Sequence, residues 1–252
     1  MSMIELKSAR DLEKMRRACQ ISAEAIKVAQ SALEVGVSTA YVDDKVRNYI
    51  VSQGARPTFL GYGGFPKSAC ISVNEELIHG IPSTNRIIKD GDIVSIDVGA
   101  FIDGFTGDNA ATFAVGSVSD EAKRLMSVTK ESLLRAVEVC IPGNRIGDIG
   151  HTVQSYVEDN GYSVVRDYIG HGVGRKLHEE PEVPNFGRPG HGARLVPGMT
   201  IAIEPMVNVG GPEVEVLAND WTVVTKDRQL SAHFEYTVAI TENGPIVLTQ
   251  WG

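Results

Sequence analysis

Two stretches of this 252-residue chain echo each other at one fixed spacing, and that spacing restricts the fold more than any other feature. Gly36 to Gly54 (GVSTAYVDDKVRNYIVSQG) aligns without gaps on Gly143 to Gly161 (GNRIGDIGHTVQSYVEDNG), an offset of 107. Both end glycines, Val46/Val153 and Tyr49/Tyr156 are identical, while Val42/Ile149 and Ile50/Val157 are similar. Amphipathic helices resemble one another, so this match alone carries little. The same offset, however, lays DGDIVSID (90–97) on PGMTIAIE (197–204), with Gly91 on Gly198, Ile96 on Ile203 and Asp97 on Glu204. Coincidence between common patterns would have to strike twice at one offset. A duplicated unit is the better explanation: one domain over 1–252, with internal halves of roughly 1–117 and 118–252.

Each half reads as two helices followed by strands. Ser8 followed by Asp11 resembles a capping box, after which Leu12, Met15, Cys19, Ile26, Ala29 and Leu33 recur at helical spacing. Ser38 or Thr39 caps a second helix with Val42, Val46, Tyr49 and Ile50 on one face. In the second half the spacing predicts helices over about 119–140 and about 146–160. Runs rich in β-branched residues, DIVSIDVGAFI, NAATFAVG, MTIAIEPMV, WTVVT and FEYTVAIT, predict strands. Their clustering points to antiparallel hairpins flanked by helices, an α+β layer arrangement.

The first hairpin carries the most chemistry. Asp103-Gly104 is a two-residue turn of type I′, which needs positive φ at both central positions. That turn sets Ile102 opposite Phe105 and Gly99 opposite Asp108, so Asp97 and Asp108 become diagonal neighbours on one face. Both lie in apolar strand sequence, as do Glu204 in TIAIEPM and Glu235 in AHFEYTV. A buried carboxylate needs a partner, a proton or a metal, and no lysine or arginine alternates with these four. His171 sits in YIGHGVG, where the flanking glycines suggest room for a ligand. Four carboxylates with one imidazole suit Mn, Fe, Co or Zn. Any one of these residues alone reads as an ordinary turn, edge or loop residue; the five together read as a site for two divalent metal ions.

Composition narrows the setting. A formal net charge of -8 offers no positive field for phosphate, so no sequence-specific nucleic-acid binding is expected. Cys19, Cys70 and Cys140 are odd in number and widely separated, which fits a reducing compartment better than a disulfide framework. The opening MSMIELKSARDLEKM lacks an apolar signal segment, and no run approaches the roughly 18 apolar residues of a membrane span. A cytoplasmic protein without membrane contact is expected.

CISVNEELIHGIP (70–82), SIDVGAFIDGFTGD (95–108), YIGHGVGRKLHEEPEVPN (168–185), IAIEPMV (201–207) and FEYT (234–237) follow one another as in the type I methionine aminopeptidases, which the chain resembles over nearly its whole length. The Asp-Asp-His-Glu-Glu set alone is shared with prolidase, aminopeptidase P and creatinase. The resemblance implies the pseudo-twofold "pita-bread" fold, with a central antiparallel sheet flanked by helices. It implies that Asp97 chelates one ion, that Asp108 and Glu235 bridge both, and that His171 and Glu204 ligate the other. The ions would lower the pKa of the water that attacks the carbonyl after an N-terminal methionine, with Glu204 shuttling the proton. His79 would lie near the amide nitrogen or leaving group, and His178 would hydrogen-bond the substrate carbonyl. Phe59, Tyr62, Phe65, Cys70, Leu177 and Trp221 occupy the family's methionine-pocket positions, where aromatic rings and sulfur suit a thioether. Ordinary core packing is the competing reading for Phe59 and Leu177.

The chain departs from the family pattern at Tyr236, where histidine usually follows the last glutamate, and at Phe65 and Phe186, where tyrosine is more usual. Tyr236 is expected on the strand face opposite Glu235. His151, His191 and His233 have no catalytic context, and His151 falls on an amphipathic helix. The expected activity is removal of the initiator methionine from nascent polypeptides by a monomer that associates transiently with the ribosome. An Xaa-Pro metallopeptidase of the same fold is one alternative, although those relatives usually carry a further N-terminal domain for which no room is seen here. An inactive peptide- or ribosome-binding homologue is another, although all five ligands are present.

Overall fold

The structure is a computed structural model that describes residues 3–251; the outermost positions of the expected 1–252 span lie outside the described residues. Each half opens with two helices: α1 (Ala9–Ala32) and α2 (Thr39–Ser52), then α3 (Asp120–Glu138) and α4 (Ile146–Asp159). The Ser8 box forms: the Ser8 hydroxyl accepts the Asp11 amide at 3.2 Å while the Asp11 carboxylate accepts the Ser8 amide at 3.1 Å. Ser38, and not Thr39, caps α2, its hydroxyl accepting the Tyr41 amide at 3.2 Å. Val42, Val46 and Ile50 are buried on α2, and their offset mates Ile149, Val153 and Val157 are buried on α4. Fully burying each such aliphatic side chain stabilises by about 1.5–3 kcal/mol, which is why the apolar stripe of each helix faces the sheet.

The first hairpin joins Ile93–Ile102 to Phe105–Ala114, with Ile102 opposite Phe105 and Gly99 opposite Asp108. Asp103 and Gly104 hold φ of 54° and 85°, the paired positive values of a type I′ turn. On the other edge Ala69–Val73 pairs with the first strand and sets Cys70 opposite Asp97.

In the second half MTIAIEPMV is two strands rather than one, Thr200–Ile203 and Met206–Asn208. FEYTVAIT becomes a strand only at Tyr236–Thr241, preceded by Ser231–His233. The registers on either side of the break agree, with Ile203 opposite Tyr236 and Met206 opposite His233. One interrupted hairpin therefore sets Glu204 against Glu235 in its gap. Pro205 has no amide for the ladder, and Glu235 gives its amide to Ala110 of the first half at 2.9 Å.

That bond belongs to a seam between the halves. Ala110 and Glu235 form a bridge; one step along, the Thr112 hydroxyl donates to the His233 carbonyl at 2.8 Å and accepts its amide at 2.9 Å. On the other side the Thr237 hydroxyl donates to the Asp108 carbonyl at 2.7 Å and accepts its amide at 3.3 Å. A threonine hydroxyl can do both at once, so it spans places where the backbones stand too far apart to pair directly. The seam runs through the two hairpins that carry the carboxylates. Among the described residues no helix is long and apolar enough to cross a membrane, and the three cysteines are buried and unpaired.

Candidate metal centre and active site

Asp97 and Asp108 from the first hairpin, Glu204 and Glu235 from the second, and His171 between them line one cavity of about 340 Å³. Asp108, His171 and Glu235 each offer a ligand atom, all within 4.8 Å of one another. His171 Nε2 lies 3.5 Å from Glu204 Oε1 and 3.7 Å from Asp108 Oδ2. Its Nδ1 faces the Gly172 carbonyl at 2.8 Å. A carbonyl can only accept, so Nδ1 carries the proton and the Nε2 lone pair is turned toward the carboxylates.

The chemistry of the donor set fits a cation. Asp97 Oδ1, Asp108 Oδ1 and Glu235 Oε1 are buried without a hydrogen-bond partner among the described residues, and no lysine or arginine lines the cavity. Orphaned buried acceptors are costly. Burial pushes all four carboxylates above the ordinary range; for Asp97, Glu204 and Glu235 mutual repulsion adds to it. Burial, reinforced by His178, lowers His171 to about 4, so the imidazole is neutral and available as a ligand at neutral pH. In a protein without cations the cluster would hold protons; divalent ions remove that need.

The glycines beside His171 serve a different purpose from the ligand clearance expected of them. A Cβ on Gly170 would fall 2.4 Å from the Ala202 carbonyl oxygen, and one on Gly172 would fall 2.2 Å from that of Glu180. They admit the neighbouring strands, which pack against the short strand Gly170–Gly172 on both sides.

Beside the carboxylates Phe59, Phe65, Cys70 and Leu177 form a small buried apolar cluster, with Ile81 and Trp221 packed on it. Phe65 meets Trp221 edge-on, with centroids 5.1 Å apart. The Cys70 thiol is pushed up by burial and by the neighbouring Asp97, so it is an apolar wall and not a nucleophile. Tyr62 stands at the mouth, 44% exposed, and its hydroxyl sits 2.7 Å from Nδ1 of His178. The His178 ring lies 4.3 Å, centroid to centroid, from that of His171. His79 takes a positive φ of 57° and stands edge-on to Tyr168 and Trp221. Every residue assigned from the sequence to the metal, catalytic or methionine-pocket set thus lines this one cavity.

Sequence reasoning missed four residues here. Gly63, Ile78, Tyr168 and Ile169 line the cavity; the last three lie inside recognised motifs but carry no carboxylate, imidazole or thiol that would single them out. It also passed over a fifth. His233 is 1% exposed, its Nε2 has no hydrogen-bond partner among the described residues, and that atom lies 3.7 Å from Glu204 Oε2. Its position opposite Met206, next to the hairpin gap, could have been counted from the register had the break at Pro205 been foreseen. His151 and His191 are exposed, away from the cavity. Tyr236 is buried in the main core and takes no part in lining the site, on the face away from Glu235.

A buried acidic cluster with one imidazole, straddling a pseudo-twofold seam, defines a class of metal-dependent hydrolases. The model of metallopeptidase family M24 matches residues 13–242, and the chain belongs to that family. Within it the chain falls among the methionine aminopeptidases. It is 53% identical to the methionine aminopeptidase of Clostridium acetobutylicum, over 98% of this chain and 99% of that one. The crystal structure of methionine aminopeptidase from Thermotoga maritima superposes with a TM-score of 0.97 at 45% identity, covering 98% of this chain and all of that one. The prolidase from Pyrococcus furiosus is more distant, with a TM-score of 0.78 and 27% identity over 97% of this chain and 65% of that one. The fold is the pita-bread arrangement, and the family uses divalent metal.

Proposed function

We propose that the chain hydrolyses the first peptide bond of polypeptides that begin with methionine, with two divalent ions, Mn, Fe, Co or Zn, held by Asp97, Asp108, His171, Glu204 and Glu235. The observation that carries this reading is the convergence of three partnerless buried carboxylate oxygens on a cavity whose other wall is the Phe59–Phe65–Cys70–Leu177 cluster. When bound, the ions supply electrophilic polarisation and a water nucleophile active at neutral pH. The chain's residues do the rest. Asp108 and Glu235 would hold both ions, and the side of the cavity at Asp97 would take the substrate α-amine, which would restrict cleavage to the terminal residue. Glu204 takes the proton from the nucleophile and delivers it to the leaving nitrogen, with His79 on that side of the bond. The Tyr62 phenol stands 2.7 Å from Nδ1 of His178; a phenol that donates there keeps the proton of that imidazole on Nε2, where it can donate to the substrate carbonyl oxygen. The methionine thioether packs among the aromatic rings and Cys70.

The deciding experiment compares Met-Ala-Ser with Xaa-Pro peptides after Mn or Co is added back to chelated protein. Rapid release of methionine with Xaa-Pro left intact is expected. Binding of metal without cleavage of Met-Ala-Ser would sink the reading, and cleavage before proline would move it to the prolidase side of the family. A cytoplasmic setting, transient contact with the ribosome and a monomeric state complete the proposal: nascent chains are the substrate pool, the cysteines are unpaired, and one chain carries the whole donor set.

A further inference from the structure

His178 sits in a loop that the N-terminal segment grips from outside the cavity. Lys7 and Glu179 form an ion pair whose side chains are 1% and 9% exposed. Such a pair is unusual, because burying two charges is justified only by close geometry and full hydrogen bonding. Here the contact is close and each partner makes a further hydrogen bond. Lys7 Nζ also donates to the Glu5 carbonyl at 3.1 Å, and the Lys7 amide donates to the Gly198 carbonyl at 2.7 Å. Glu179 spends its other oxygen on the Lys176 amide at 3.0 Å, which closes the loop on itself. The lysine stem fills the space beside Gly174, where a Cβ would fall 2.3 Å from Lys7 Cε. A second grip lies one turn outward: Arg175 reaches Glu5 Oε1 at 2.8 Å and Asp11 Oδ1 at 2.9 Å. The third is the Gly174 carbonyl, which accepts the Thr106 amide at 2.7 Å. Residues 174–179 are therefore tied from outside at Gly174, Arg175 and Glu179, while Leu177 and His178 between them turn into the cavity, where His178 meets Tyr62.

We infer that Lys7 is a positioning residue for catalysis. Through Glu179 it fixes the depth at which His178 meets the substrate carbonyl, while the five metal ligands lie outside residues 174–179; the nearest by pairing is His171, whose neighbour Gly172 stands opposite Glu179. The inference rests on His178 binding that carbonyl. Hydrogen-bond catalysis depends steeply on placement, and a shift of about 1 Å can cost about a hundredfold in rate. Lys7→Met keeps the stem and removes the charge.

The test is a double-mutant cycle on the Mn-loaded enzyme with Met-Ala-Ser, using Lys7→Met, His178→Ala and the pair, with Mn affinity by calorimetry for each. Lys7→Met is expected to lower kcat by about tenfold or more with KM and Mn affinity within about twofold. In the His178→Ala background the same change should cost almost nothing, because the group it places is gone. Losses that multiply, or a Lys7→Met effect confined to metal binding, overturn the inference. If His178→Ala alone leaves kcat unchanged, the carbonyl-binding reading fails and the inference with it. If His178→Ala slows turnover and folded Lys7→Met does not, only the inference fails. Should Lys7→Met not fold, Glu5→Gln combined with Arg175→Gln loosens the outer grip at exposed positions. A smaller kcat loss that vanishes with His178→Ala supports the inference, and no loss overturns it.

Discussion

His233 and Tyr62 show how much of the site is set by side chains that need touch neither metal nor peptide bond. His233 reaches Glu204 Oε2 from inside the core, while Oε1 faces His171. Burial lowers this imidazole to about 3, so it stands beside the carboxylate as a neutral ring, placed to orient it on a small shift, rather than as a counter-charge. Groups that orient a metal-binding carboxylate are worth about 10–100-fold in metal affinity. His233→Leu should therefore weaken Mn binding by about tenfold or more, read by calorimetry on folded protein; unchanged affinity would show that the contact does nothing. Tyr62→Phe tests a different property. Removing the phenol leaves the His178 tautomer unspecified, so kcat on Met-Ala-Ser should fall while Mn affinity stays put. A fall in both would mean that Tyr62 supports the metal site and not the imidazole.

At the scale of elements the interrupted second hairpin decides the geometry. A continuous ladder would have buried Glu204 and Glu235 in regular pairing; the gap lets both carboxylates face Asp97 and Asp108 across the seam. Thr237 is the pin, fully buried and bonded to both backbone groups of Asp108. Thr237→Val keeps the shape and leaves that amide and carbonyl unsatisfied, at about 1–3 kcal/mol for each. The melting temperature should drop by several degrees and Mn affinity should fall with it; a variant that melts like the parent would contradict the pinning role. Much of this was legible beforehand. The helix caps, the Asp103-Gly104 turn and the Gly99–Asp108 register follow from local rules that act within a few residues. The break at Pro205 and the seam at Thr112 and Thr237 were not, because they depend on contacts between segments more than 100 residues apart (108 with 237, 112 with 233). His233 stayed hidden because the hairpin break beside it was not foreseen, and the glycines of YIGHGVG were misjudged because strand pairing brings the backbones of Glu180 and Ala202 against them.

For the whole molecule, the pH response follows from opposed shifts. Carboxylates with raised pKa bind more protons folded than unfolded, so the stability they lend the metal-free protein is lost as pH rises. Histidines with lowered pKa act oppositely, adding stability as pH climbs from their folded values toward the ordinary 6.5. Above that value these histidines have finished titrating while Asp108, raised to about 7, still has its proton to lose, and the metal-free protein weakens. Metal relieves their repulsion, and its binding must displace their protons. The rise in melting temperature on adding saturating Mn should be larger at about pH 8 than at about pH 6, in scans of chelated and reloaded protein. An equal or smaller rise at the higher pH would contradict the assignment of raised values to the cluster.

The seam described above has one more consequence. Asp97 and Asp108 arrive from one half, and His171, Glu204 and Glu235 from the other, so neither half assembles a donor set by itself. Binding of ions by all five residues therefore requires that the two halves have already closed on each other.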